Sequence, residues 1–398
     1  MTTSETRALQ VAIIGAGIGG LTAAAALRRR GIEARVYEQA RALGEVGAGI
    51  SLASNGWRLL ERVGALPGIE RYGSVLDQGY FQLRQDGAHV STLREVGAPY
   101  EKRVIGIHRA DLIQVLAELL PDGAIRTGHR LRRLTQGPDG VELEFGHGVT
   151  EHADAVIGAD GIHSAVRPYV AEEVPPVSSG TAAYRALVPV ATPDDWDWGT
   201  SKMWTGPGKH FLAYPIRADE LINVVAVVQA HGDERDSWSA PGDPKALAEE
   251  FRGWDPVVEG LIERVTDTFQ WGLFDRAPLS TWVNGRIALL GDAAHAMLPH
   301  LGQGGGQTIE DGFALAAALE GVDAAGVPEA LKVYERLRYD RATAVQQTSR
   351  EAGHLYDSAE VEAYDDRDER IRRLAPFYAW LSSHDADSLI VPDPAPAR

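Results

Sequence analysis

An α/β fold is predicted, built on a Rossmann-type domain with a mostly antiparallel β-sheet domain inserted into it and helices at the C-terminal end. Three observations carry the prediction. A strand, glycine turn, helix and second strand follow one another over residues 10–38. The same α/β style returns at 153–167 and again at 285–319, and the region between alternates apolar and polar residues as half-buried strands do.

The first unit reads QVAIIGAGIGGLTAAAALRRRGIEARVYE. Val11 to Ile14 is a short apolar run of strand type. Gly15-Ala16-Gly17-Ile18-Gly19-Gly20 fits G-x-G-x-x-G, and an alanine-rich helix follows, stopping at Gly31. A second strand, Ala34 to Tyr37, ends at Glu38. In such a unit Gly15 allows the tight turn, Gly17 lets the backbone approach a pyrophosphate, and Gly20 lets the helix pack close to the strand. The helix N-terminus offers free N–H groups to phosphate. Glu38 stands where an acid accepts hydrogen bonds from ribose hydroxyls. The whole unit, in register, reads as dinucleotide-binding.

After it, GEVGAGISLASNG (Gly44 to Gly56) is expected to be a loop, with Gly47 and Gly49 suited to close approach of a ligand, and a helix from Gly56 to Val63. Tyr80 to Ser91 alternates around Asp86-Gly87 and reads as a hairpin. His108-Arg109-Ala110-Asp111-Leu112 opens a helix through Leu120, and short strands are expected at 125–127, 131–135 and 141–145. In ADAVIGADGIHSAVR, the strand Ala155 to Ile157 ends at Gly158-Ala159-Asp160-Gly161. Asp160 thus lies at a strand's carboxyl end, where open α/β sheets bind ligands, although an Asp-Gly turn is also common without any such role.

Between Pro175 and Trp282, strands are expected at Thr181 to Val190, Ser201 to Trp204, Phe211 to Pro215 and Leu221 to Gln229, with helices at Pro244 to Phe251 and Val257 to Val265. Five of the nine tryptophans fall between Trp196 and Trp254, and this tryptophan-rich sheet is expected to pack one face and turn the other toward a cavity. Gly285 to His295 is a strand ending in Gly291-Asp292. PHLGQGGG (Pro299 to Gly306) is a glycine-rich loop, followed by helices at Thr308 to Leu319 and Pro328 to Glu351, one more helical piece after Arg367 and a Pro/Ala-rich end. The expected organisation is a nucleotide domain in three parts (1–75, 105–177 and 276–360), a substrate domain in two (76–104 and 178–275) and a C-terminal helix and tail (361–398).

Composition narrows the function. The net charge of −17 argues against nucleic acid and anionic membrane as partners. The absence of cysteine excludes disulfides, thiolate metal sites, a cysteine nucleophile and a redox dithiol. No metal site is expected. The N-terminus is short and polar, and the apolar stretch after it is broken by glycines, which reads as neither a signal core nor a membrane span. A cytoplasmic protein, monomer or homodimer, is expected.

GAGIGG with Glu38, GADGIHSAVR, and GDAAHAMLPHLGQGGGQTIED together resemble the class A, single-component FAD-dependent aromatic monooxygenases, over Val11 to about Arg341. The resemblance implies a glutathione-reductase-like FAD-binding domain with FAD as cofactor and NADH or NADPH as co-substrate. It places Glu38 on the adenosine ribose, Arg109 on the FAD linker, Asp160 near the pyrophosphate, Asp292 at the ribityl and pyrophosphate region, and the glycines after Pro299, Gly304 and Gly305 among them, beside the isoalloxazine. Finer stretches, among them KHFLAYPI and WGLFDRAPLSTWVNGRIALLGDAAH, are similar to salicylate hydroxylases and 3-hydroxybenzoate 6-hydroxylases. In that group a His and a Tyr line the substrate site, matching His210 and Tyr214, which even spacing on a strand points to one face. Pro299 stands where the 6-hydroxylases carry glutamine, so it is assigned to the substrate site and to the salicylate side of the group.

The implied chemistry is reduction of FAD by NAD(P)H, formation of a flavin C4a-hydroperoxide with O2, and hydroxylation of a phenolic aromatic acid. An imidazole is suited to take a phenolic proton near neutral pH. His210 is assigned that role, with Tyr214 orienting. Arg185 and Arg217 are the candidates for holding a carboxylate, although each reads more readily as a plain surface arginine. His295 and His300 are read as structural. Salicylate, converted to catechol with loss of CO2, is the first substrate expectation. 3-Hydroxybenzoate, a hydroxynicotinate, urate or a natural-product phenol are alternatives, as is a flavoprotein oxidase on the same fold.

Overall fold

The computed structural model describes residues 7–44, 48–94, 103–172, 174–230, 240–357, 364–390 and 394–396. Gly47 lies outside these residues.

Strands from the start, middle and end of the chain build one six-stranded sheet. Its order is 283–284, 287–289, 155–158, 10–14, 33–37, 125–126, parallel except at the first pair. Val11, Ile13, Val156, Ile157, Ala288 and Leu289 are all buried, as strands covered on both faces must be. The helix Ile18–Arg29 packs against Gly304–Leu319 through small residues; a Cβ on Gly312 would stand 2.9 Å from the Ala23 nitrogen. That helix begins at Gly304, four residues before the expected start, so Gly304 and Gly305 belong to its first turn rather than to a loop. A strand, Gly49–Leu52, lies inside the expected loop and pairs with Val104–His108, because backbone groups pressed against another sheet need partners.

A seven-stranded sheet forms the second body, in the order 269–275, 177–189, 221–229, 209–216, 200–206, 79–84, 89–94. All its pairs are antiparallel except 200–206 with 79–84. The hairpin at Asp86-Gly87 supplies its edge, as expected. One face carries Tyr184, Trp204, Phe211 and Ala226 into a core with Leu247, Phe251, Trp254 and Val258 from the two helices Pro244–Glu250 and Pro256–Ile262. The opposite face carries the cross-strand row Arg185, Val225, Leu212, Met203. Trp196, Trp204 and Trp254 sit in the helix-covered core, and of the described tryptophans on these strands only Trp271 joins the cluster on the opposite face, since alternation sends residues of one parity to each side.

The helix Val327–Tyr356 runs five residues beyond its expected end at Glu351 and delivers Tyr356 and Asp357 to the second sheet. Two helices follow, Tyr364–Arg372 and Ala375–Ser383, where one was expected. Among the described residues no helix is long and apolar enough to cross a membrane, and no group of three or more His, Asp or Glu side chains is placed to hold a metal ion.

Candidate active site

The glycine turn is shaped for a ligand by what it touches and by what it leaves open. Gly15 has φ +107°, and a Cβ there would stand 2.4 Å from the Ala159 carbonyl oxygen. A Cβ on Gly20 would stand 2.0 Å from the Gly15 oxygen. A Cβ on Gly17, by contrast, would meet nothing within 4 Å, so open space lies on that side of the backbone. No side chain caps the helix that starts at Ile18, and its first-turn N–H groups are available to an anion. Glu38 accepts the Ala16 and Ala40 N–H groups at 2.9 and 2.8 Å, which fixes the carboxylate at the strand end with lone pairs to spare.

Asp160 meets this turn through its backbone, since Asp160 Cα lies 3.0 Å from the position of a Gly15 Cβ. Its carboxylate is used locally, accepting from the Ser164 hydroxyl and from the Ala165 N–H at 2.7 Å. Asp292 is exposed and its carboxylate makes no hydrogen bond among the described residues, leaving it open to a ligand. Arg167, the last residue of GADGIHSAVR and not among the expected site residues, ties the two motifs together. Its guanidinium donates to Ile162 O at 2.9 Å, to Ala293 O at 2.9 Å and to Asp292 O at 3.2 Å.

Beneath the loop 291–306 lies a fully buried charge network. Asp311 accepts the Gly291 N–H at 2.8 Å, pairs with His295 at 2.6 Å and with Arg338 at 2.8 Å. Glu310 pairs with Arg338 and Arg341 and accepts from Asn55 at 2.6 Å. Burial pushes both carboxyls up. The guanidiniums of Arg341 and Arg338 outweigh this at Glu310, and His295 with Arg338 at Asp311, so both are held below the usual carboxylate range. His295 thus has the structural role expected of it. The helix Gly304–Leu319 also lacks a side-chain cap, so its first-turn N–H groups are free to meet an anion. A Cβ on Gly305 would meet nothing within 4 Å. Together, the open backbone at Gly17, the uncapped helix ends and the unpartnered Asp292 carboxylate fit a flavin adenine dinucleotide.

The face of the second sheet opposite its helix-covered core is polar at two ends and apolar between. At one end His210, buried, bonds Asp357 through Nδ1 at 2.6 Å and packs against His300 and Tyr356, ring centroids 5.2 and 5.6 Å away. His300 is held neutral, its pKa well below the ordinary value, first by burial and then by the neighbouring imidazoles. At the other end Tyr214 lies against Arg185. Burial, only partly offset by Arg185, pushes the Tyr214 phenol up to about 12, so it is a neutral donor at working pH. Arg185 donates to Gly49 O at 3.0 Å, has no carboxylate partner among the described residues, and keeps a buried Nε without a hydrogen bond. Burial lowers its pKa, and the charge of Arg109 adds to that. Arg109 itself anchors Ala48 O through its backbone N–H at 3.0 Å.

Arg217 is not in this cluster: it pairs with Asp111 at 2.9 Å near the surface. Pro299 opens a short 3-10 turn and is exposed, while Leu298, His300 and Leu301 are buried, Leu298 among Val225, Val227 and Trp271 of the sheet. The turn Pro299–Leu301 and the residue before it therefore pack directly on this face of the second sheet.

An FAD binding domain family model matches residues 8–349. A 3-amino-4-hydroxybenzoate 2-monooxygenase of Streptomyces platensis is 39% identical over 97% of this chain and 98% of its own. A 6-hydroxynicotinate 3-monooxygenase of Bordetella bronchiseptica is 35% identical over 85% of this chain and 90% of its own. Among solved structures, a salicylate hydroxylase substrate complex superposes with a TM-score of 0.82 at 30% identity, covering 97% of this chain and 99% of that one. The match over nearly the whole length, in sequence and in fold, shows that the chain belongs to the FAD-dependent aromatic monooxygenases.

Proposed function

We propose that the protein hydroxylates a single-ring aromatic acid whose hydroxyl and carboxylate lie at opposite ends of the ring, with NADH or NADPH as electron source. The carrying observation is the spacing of the two polar ends of this sheet face. His210 and Tyr214 share one face of the strand Lys209–Ile216 with Leu212 between them, so their backbones are roughly 13 Å apart at about 3.3 Å per residue. One ring with a hydrogen bond of about 2.8 Å at each end bridges such a gap. A ring with both groups on neighbouring carbons engages only one end. The named substrates 3-amino-4-hydroxybenzoate and 6-hydroxynicotinate of two relatives are para-disposed hydroxy acids. Salicylate, an ortho acid, is the second reading, supported by the similarity to salicylate hydroxylase.

FAD, when bound, supplies the activation of O2. The chain's residues do the rest. Arg185 takes the carboxylate, since a buried guanidinium without an acidic partner favours an anion. Tyr214 donates a hydrogen bond beside it. His210 receives the proton of the ring hydroxyl through Nε2, which makes the ring electron-rich toward an electrophilic oxygen. Leu212, Val225 and Leu298 exclude water from the ring between the two ends. Glu38 and the Gly17 backbone hold the adenosine half of the cofactor, and Asp160 keeps the adjoining turn in shape. Asp292 and the N–H groups of Gly304 and Gly305 hold the flavin half, and Pro299 sets the turn at the cavity rim. NAD(P)H oxidation by the FAD-loaded protein, measured with the para acids and with salicylate alongside product identification, tests this reading.

A further inference from the structure

We infer that Asp357 is a positioning residue for His210, fixing the imidazole so that Nε2 presents a lone pair to the substrate hydroxyl. The inference rests on the role of His210 proposed above and adds a residue from the end of the long C-terminal helix to that site. Three observations carry it. The Asp357 carboxylate lies 2.6 Å from His210 Nδ1, and both side chains are buried, at 9% and 5% exposure. Among the described residues His210 makes no other hydrogen bond, so Nε2 is left for a ligand. Asp357 is itself immobilised twice: its N–H donates to Gly353 O at 3.0 Å, closing the helix, and its carbonyl accepts from Gly208 in the turn preceding His210 at 3.1 Å.

A carboxylate accepts and does not donate. The nitrogen facing it therefore carries the hydrogen, and the other ring nitrogen is the acceptor. When the substrate O–H bond breaks, the proton moves to Nε2 and the electron pair stays on the phenolic oxygen. The resulting imidazolium is bonded to Asp357 at one nitrogen and to the phenolate at the other. His300 and Tyr356 brace the ring without competing for either nitrogen.

The test uses the FAD-loaded enzyme labelled with 15N-histidine. Long-range proton–nitrogen correlation spectra report which ring nitrogen bears hydrogen, and His210→Gln identifies the His210 signals among the 12 histidines. The expected result near neutral pH is hydrogen on Nδ1 and a bare Nε2, with loss of that single tautomer in Asp357→Asn and its retention in Asp357→Glu. Hydrogen on Nε2 in the unmodified enzyme, or an unchanged tautomer in Asp357→Asn, overturns the inference. With 3-amino-4-hydroxybenzoate as probe, Asp357→Asn is expected to lower product formed per NAD(P)H by about ten- to hundredfold at little change in KM. If His210→Gln abolishes coupling and Asp357→Asn leaves it intact, this inference falls and the role of His210 stands. If His210→Gln itself leaves coupling intact, the role of His210 falls.

Discussion

The Gly49 N–H donates to the Asn223 side-chain oxygen at 2.8 Å, and a Cβ at residue 49 would stand 2.6 Å from Asn223 Cγ. This contact joins the strand Gly49–Leu52 to the strand Leu221–Gln229 of the second sheet. Arg185 closes it from the other side by donating to Gly49 O. Gly49→Ala is accordingly expected to lower the unfolding free energy by about 1–3 kcal/mol, as overpacking does, and to reduce product yield per NAD(P)H. Chemical denaturation and coupling measurements check it; a variant with unchanged stability would show that the two bodies do not meet so closely.

The glycine turn separates folding from cofactor binding. Gly15→Ala is strained by its positive φ and its contact with Ala159, so the apoprotein itself should lose about 1–3 kcal/mol. Gly17→Ala meets no protein atom. It should leave apoprotein stability within about 0.5 kcal/mol while weakening FAD binding tenfold or more, about 1.4 kcal/mol. Thermal unfolding of apoprotein and FAD titration distinguish the two; equal effects on both quantities in both variants would contradict this division.

How much of this was legible in the sequence depends on how far apart the partners lie. The Gly15–Glu38 unit is local, and its geometry follows from the glycine spacing and strand periods, so turn, helix and acid all stand where the pattern puts them. His210 and Tyr214 share a strand face for the same reason of parity. Asp357 with His210, Asn223 with Gly49 and Arg167 with Ala293 are pairs separated by more than a hundred residues. Tertiary packing alone creates them. Asp357 was further hidden because nothing between Glu351 and Asp357 contradicts a continued helix, and nothing demands one. One missed feature did leave a trace: Glu310-Asp311, adjacent acids in the apolar run around Ile309 and Phe313, are the mark of buried charges that need cationic partners.

That buried network makes acid stability a readout. Glu310 and Asp311 are held below the ordinary carboxylate range. A depressed carboxyl contributes stability that is present above its unfolded pKa and is lost as the pH falls through the folded one. Unfolding free energy should therefore decline as the pH drops below about 4.5. Glu310→Gln leaves Arg338 and Arg341 without half their compensation and should cost about 3–5 kcal/mol near neutrality, with a flatter acid limb. Urea unfolding across pH checks both; a steep acid limb retained in the variant would place the dependence on other carboxyls.

Arg185→Gln should discriminate between an acid and its amide. For a para-hydroxy aromatic acid, KM is expected to rise about ten- to hundredfold, the scale of a lost charge-assisted pair. For the corresponding carboxamide the change should be small. Parallel kinetics on the two compounds measure it, and equal losses would mean that Arg185 serves only to pin Gly49.

The most direct test of the central claim is NAD(P)H oxidation by the FAD-loaded protein with 3-amino-4-hydroxybenzoate, 6-hydroxynicotinate and salicylate in turn, with products identified and H2O2 quantified. The account predicts strong stimulation and a hydroxylated product with a para-disposed acid, and weak or uncoupled turnover with salicylate. Tight coupling to catechol with salicylate, and H2O2 alone with both para acids, would contradict it.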